Sequence, residues 1–210
     1  MDGTLLESER LARACFIQAC ADLGWHDLDM GVYDDCVGST HEATRQRLLQ
    51  GFGQNFPVDG LEKRWSEHYH SHINSTPLEI KPGAQALLAT LSDAQIPVAL
   101  ATSSFRDTAI IKLTHTNLLS FFAVLVCGGE ASQGKPHPAP YQLAVEQVQC
   151  EAQQCWAVED SDNGTLSAHR AGLQVVQIPD ELEPSQSVRD LGHPILASMH
   201  TLHQHLTTLL

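Results

Sequence analysis

The chain has 210 residues, enough for one core domain with a smaller accessory domain, and its 42% hydrophobic content is ordinary for a globular protein. Its formal net charge of -13 repels phosphate backbones and anionic membrane surfaces, which argues against nucleic acid or membrane as a main partner. A small phosphorylated substrate is still compatible, because a local site can be positive in an acidic protein.

The first residues, MDGTLLESER, carry no basic segment followed by an apolar stretch, so they do not read as a secretory signal. No apolar run approaches the ~18 residues of a membrane-spanning helix. The six cysteines (15, 20, 36, 127, 150 and 155) are irregularly spaced, with no Cys-x-x-Cys pair. They read as reduced thiols of a cytoplasmic protein rather than a disulfide framework.

In chain order, residues 8–24 predict a helix that Ser8 starts and Gly24 ends, with Leu11, Cys15 and Ala19 on one face. Residues 40–51 repeat the scheme, with Thr40 as the cap. Asp59 and Glu62 resemble a capping box that opens a helix through about His72. After Pro77 the pattern changes. The amphipathic stretch AQALLATLSDA is followed by four short apolar runs, IPVALAT, FFAVLVCGG, CWAVEDSDNG and LQVVQIP, with helical segments between them. One of these helices runs from about Arg106 to Asn117. Another begins at Pro138, and a short one ends at Gly172. Residues 195–209 predict a closing helix. Short apolar runs alternating with helices imply a parallel sheet covered on both faces, and such sheets bind ligands outside the carboxyl ends of their strands. Those ends carry Thr102-Ser103, Gly128-Gly129-Glu130 and Glu159-Asp160.

Four segments therefore belong together. They are Asp2-Gly3-Thr4-Leu5 at the start, Thr102-Ser103 after a strand, Lys135-Pro136 in a loop, and Glu159-Asp160-Ser161 after another strand. Each is weak alone, but the ordered set is specific. It resembles the four motifs of the haloacid dehalogenase superfamily, in the branch of phosphoglycolate phosphatase and β-phosphoglucomutase-like enzymes. The strings ALATSS, GKPHPAPY, VEDSDNG and the AGL at 171–173 carry the likeness. The resemblance implies an α/β fold, with a Rossmann-like core of residues 1–7 and 79–210 and an inserted α-helical cap at 8–78.

The resemblance also implies Mg2+-dependent hydrolysis of a small phosphate monoester, a sugar phosphate or a phosphoglycolate-like metabolite. Attack on such an ester brings one anion to another, and a hard cation held by oxygen ligands offsets the repulsion. By resemblance, Asp160 is the principal metal ligand, with Glu159 as a ligand or just behind it and the Asp2 carbonyl as another. Thr102, Ser103 and Lys135 would hold phosphoryl oxygens, and Gly3 lets the backbone approach the phosphate.

The family pattern is Asp-x-Asp-Gly-Thr, in which the first aspartate becomes an aspartyl phosphate and the second is the general acid and base. Asp2 fits the second role and Met1 is the intervening residue, so nothing in the chain fills the nucleophile position. The first core strand is missing with it. We therefore expect Met1 to be an internal methionine of a longer protein. A truncated pseudoenzyme or ligand-binding module is the competing reading, and within the superfamily a phosphomutase is the nearest alternative.

Blander readings stand beside these. Thr102, Ser103 or Ser104 could cap a helix, as could Asp162 or Asn163, and Lys135 could be a solvated loop lysine. His137 would shape the loop after Lys135. The string His68, His70, His72 reads as a solvated helix surface rather than a zinc site, and His200, His203 and His205 as surface positions. Arg45 and Arg47 read as a solvated helix face before they read as anion contacts.

Overall fold

The structure is a computed structural model that describes residues 1–37 and 41–207, except for the side chain of His41. The chain divides into two compact units, Ser8–Thr76 and the combination of Met1–Glu7 with Pro77–Leu210.

The Ser8–Thr76 unit is helical: α1 (Glu9–Asp22), α2 (Met30–Asp34), α3 (His41–Phe52) and α4 (Val58–Ser75). The buried stripe of α1 is Cys15, Phe16, Ala19 and Cys20, the period of a helix with one apolar face. Phe16 is fully buried and packs against Tyr33 at 4.8 Å and edge-on against Trp65 at 5.3 Å between ring centroids. The Trp65 indole N–H donates to the Ala12 carbonyl at 2.8 Å, tying α4 to α1.

Two expected caps are corrected. Ser8 stands at the start of α1, but its hydroxyl makes no capping bond and is buried without a partner. Pro57, not Asp59, precedes α4, and Asp59 lies in the first turn, where its carboxylate pairs with Arg45 at 2.6 Å. The expected Thr40 cap lies outside the described residues. Sequence reasoning missed α2, five residues started by the Asp29 carboxylate accepting from the Gly31 amide at 3.0 Å.

The second unit alternates strands and helices. After α5 (Ala84–Asp93) come β1 (Ala99–Ala101), α6 (Arg106–His115), β2 (Val124–Val126), α7 (Ala139–Val148), β3 (Trp156–Glu159), α8 (Asp162–Arg170), β4 (Gln174–Gln177), α9 (Gln186–Arg189) and α10 (Met199–Thr207). The strands form two parallel pairs. β1 lies beside β2 with Ala99 opposite Val124, and β3 lies beside β4 with Trp156 opposite Gln174. The helices α6 and α8 lie between parallel neighbours in the chain, as parallel pairing requires.

The closing helix is shorter than expected. Ile195 instead forms a parallel bridge to Gln177, which extends the β4 edge before α10 begins. His203 of α10 is not a free surface residue, because its Nε2 bonds the Thr90 hydroxyl of α5 at 2.8 Å. Ser161, rather than Asp162 or Asn163, caps α8 by accepting from the Gly164 amide at 3.2 Å.

All six cysteines are free thiols. Four are buried, Cys155 is half-buried and Cys150 is exposed. Among the described residues, no helix is long and apolar enough to cross a membrane.

Candidate active site

The first turn of the chain lies at the carboxyl ends of the strands. Its backbone folds back on itself, with the Gly3 amide donating to the Leu6 carbonyl at 3.1 Å. Leu6 then bridges to Ile80, and the Lys81 amide donates to the Leu5 carbonyl at 2.9 Å. Gly3 has φ +69, and a Cβ there would stand 2.4 Å from Asp160 Oδ2. Only glycine suits both the left-handed backbone and that close approach.

Both oxygens of Asp2 are engaged. Lys112 Nζ stands 2.6 Å from Oδ1, and the Ser104 hydroxyl donates to Oδ2 at 2.7 Å. Lys112 belongs to α6 and is buried, while the Asp2 side chain keeps some exposure to water. Burial alone would raise the Asp2 carboxyl. The Lys112 ammonium and the Met1 amino group, with the hydrogen bonds, outweigh it and hold the group below the usual carboxylate range.

Asp160 has the opposite environment. Burial and the neighbouring Glu159 charge push its pKa up, despite the Thr4 hydroxyl donating to Oδ1 at 2.6 Å. The Met1 amino group and Lys135 oppose that shift but do not outweigh it, so Asp160 is a half-buried carboxylate whose charge is disfavoured.

Lys135 follows a loop that closes through a cis peptide bond to Pro136. Its ammonium donates to the Ala101 carbonyl at 2.9 Å and to Glu159 Oε1 at 2.5 Å, and lies 5.1 Å from the Tyr141 ring centroid. The Tyr141 hydroxyl donates to the same Glu159 oxygen. Burial first, and the Glu159 charge next, hold that phenol protonated well above its ordinary range. Gly164 at the start of α8 leaves room for Glu159, because a Cβ there would meet Oε2 at 1.9 Å. Glu159 thus spends one oxygen on Lys135 and Tyr141, a holding role behind Asp160.

Thr102 is buried after β1, and its hydroxyl accepts from the Ser104 amide at 3.2 Å. Ser103 is exposed, and its carbonyl lies against Gly128, where a Cβ would stand 2.3 Å from it. His137 Nδ1 accepts from the Ala139 amide at 3.2 Å, and its carbonyl accepts from the Ser167 hydroxyl at 2.6 Å. The residues singled out in the sequence therefore converge at one end of the strands. Arg45 and Arg47 belong to the helical unit, where they pair with Asp59 and with the Asp35 carbonyl. His68 pairs there with Asp22 at 2.7 Å. Thr4 and Tyr141 lie in strings that the sequence singled out but were given no role, and sequence reasoning missed Lys112, Lys81 and Asp180.

A magnesium ion fits this chemistry. Among the described residues no three His, Cys, Asp or Glu side chains gather as a metal cage. Magnesium does not need one, since it binds through one or two carboxylates and keeps waters and substrate oxygens. The half-buried Asp160, with the Asp2 carbonyl and the Gly3 turn beside it, is such a donor set.

Comparison with known proteins agrees with this class of site. The family of haloacid dehalogenase-like hydrolases matches residues 1–178. The chain is 30% identical over 207 residues to a probable pseudouridine-5'-phosphatase of Drosophila melanogaster, covering 95% of this chain and 87% of that one. It is 27% identical over 179 residues to a phosphoglycolate phosphatase of Yersinia pseudotuberculosis, covering 84% and 77%. The crystal structure of a CbbY variant from Rhodobacter sphaeroides in complex with xylulose-1,5-bisphosphate superposes with a TM-score of 0.76 at 24% identity, covering 96% of this chain and 93% of that one. The chain belongs to the haloacid dehalogenase-like hydrolases, and its α/β fold with parallel strands is that of the family.

Proposed function

We propose that this chain is the body of a Mg2+-dependent phosphatase that hydrolyses a small phosphate monoester, a sugar phosphate or a phosphoglycolate-like metabolite. The observation that carries the reading is the convergence of Asp2, Lys135 and Asp160 at the carboxyl ends of the strands. An ionised carboxylate, a fixed cation and a carboxylate whose charge burial and Glu159 disfavour stand together there. The names of the relatives, which include phosphatases of phosphorylated metabolites, support the same substrate class.

Lys135 uses two of its three N–H groups on Ala101 and Glu159 among the described residues, which leaves one for a phosphoryl oxygen. The Thr102 hydroxyl and the backbone of Ser103 would hold further oxygens. Asp2, held by Lys112 and Ser104, would first give a proton to the leaving group and, once ionised, take one from the attacking water. Magnesium, when bound, would supply positive charge against the phosphoryl oxygens.

In the family scheme, the attacking aspartate immediately precedes the residue aligned with Met1. The test is phosphate release from a panel of phosphate monoesters by a form of the chain extended upstream, with an aspartate immediately ahead of Met1. Metal-dependent turnover that Lys135→Met abolishes supports the reading. Magnesium or ligand binding without turnover of any ester would favour a binding module instead. Exchange between phosphate isomers without phosphate release would favour a phosphomutase.

A further inference from the structure

We propose that Asp180 is an additional acidic group of the cation site, one that no motif in the sequence marks. This rests on the reading of Asp160 as a magnesium ligand. Asp180 follows β4 as Asp160 follows β3, and the Ile178 amide donates to the Glu159 carbonyl at 2.7 Å, so the two strand ends lie side by side. The Asp180 carboxylate is divided in its duties. Lys81 Nζ holds Oδ1, while Oδ2 is buried and has no hydrogen-bond partner among the described residues.

That orphan oxygen points at the Gly3 turn. The point where a Gly3 Cβ would stand is 3.1 Å from Asp180 Oδ2 and 2.4 Å from Asp160 Oδ2. Two carboxylate oxygens therefore close on one glycine. Two carboxylate oxygens that converge in this way offer hard oxygen donors to a cation or to its waters.

Lys81 fixes Asp180 in this pose. Its backbone is pinned to Leu5, directly after the turn, and its ammonium also reaches Glu7 Oε1 at 3.3 Å. Neutralising Oδ1 through Lys81 leaves Oδ2 as an acceptor for a metal-bound water or as a direct ligand. Groups of this kind behind a metal site commonly set its affinity.

The test is calorimetric titration of the 210-residue chain with MgCl2 alone. It compares the parent with Asp180→Asn, Asp180→Ser, Asp160→Asn and, as a control for lost charge, Asp190→Asn. Asn keeps the oxygen that Lys81 holds, and thermal unfolding without metal verifies that each variant is folded. We expect Asp180→Asn and Asp180→Ser to weaken Mg2+ binding about 10–100-fold and Asp190→Asn to leave it unchanged. Asp160→Asn should abolish binding. If the Asp180 variants bind within about threefold of the parent while Asp160→Asn does not bind, the role of Asp180 is overturned and the magnesium site stands. If the parent itself fails to bind Mg2+, the magnesium reading falls and the role of Asp180 falls with it.

Discussion

Asp160 makes a prediction in which stability and function move in opposite directions. Its carboxylate is buried beside Glu159, and both effects disfavour the charged form. Asp160→Asn removes that charge, keeps the volume, and leaves a carbonyl oxygen to accept from Thr4. Relieving such a site commonly stabilises a fold by about 0.5–2 kcal/mol. For a chain of 210 residues, each kcal/mol corresponds to roughly 2–4 °C in Tm. We therefore expect the metal-free variant to melt ~1–8 °C above the parent by differential scanning calorimetry.

The pH dependence follows from the same shift. The folded carboxyl has a raised pKa, so below it and above the unfolded value of about 3.9 the folded state binds more protons than the unfolded one. The parent's stability relative to Asp160→Asn should then rise as pH falls through that window. A variant that melts below the parent at neutral pH, with an unchanged pH slope, would refute the claim that burial and Glu159 disfavour the Asp160 charge.

Lys112→Met should have the reverse effect. It leaves the partly buried Asp2 without its cation and should cost about 1–3 kcal/mol by chemical denaturation. Because the folded Asp2 carboxyl lies low, its contribution is present above the unfolded value and lost as pH falls through the folded one, so the parent–variant gap should shrink below about pH 4. Gly3→Ala forces a side chain into Asp160 at positive φ and should abolish Mg2+ binding in calorimetry, with about 1–3 kcal/mol lost. Tyr141→Phe removes a donor from buried Glu159 and should destabilise by about 1–3 kcal/mol. In an ultraviolet titration, Tyr141 should be the tyrosine that ionises well above the ordinary range, a signal absent from the variant.

The parallel architecture was legible because each core strand is a short apolar run that ends in polar residues. The segments at Asp2, Thr102, Lys135 and Asp160 stood out because their order resembles the motifs of the haloacid dehalogenase superfamily and three of them lie at or near strand ends. Lys112 did not. Within α6 it reads as one more solvated helix residue, and only the packing of that helix against a turn 110 residues earlier buries it on Asp2. Asp180 sits at a strand end as Asp160 does, yet its partner Lys81 is 99 residues away, so the pair leaves no local pattern. Caps failed where a tertiary partner won. Asp59 was assigned to the start of α4, but Arg45 of α3 engages it instead.

The central claim is that the Asp2 turn and Asp160 form a magnesium-dependent phosphohydrolase site. The most direct measurement is the steady-state hydrolysis of p-nitrophenyl phosphate by the chain extended with an aspartate immediately ahead of Met1, with and without Mg2+, beside its Asp160→Asn variant. The account predicts turnover that requires Mg2+ and vanishes in the variant. Turnover that survives chelation of the metal, or an Asp160→Asn variant as active as its parent, would contradict it.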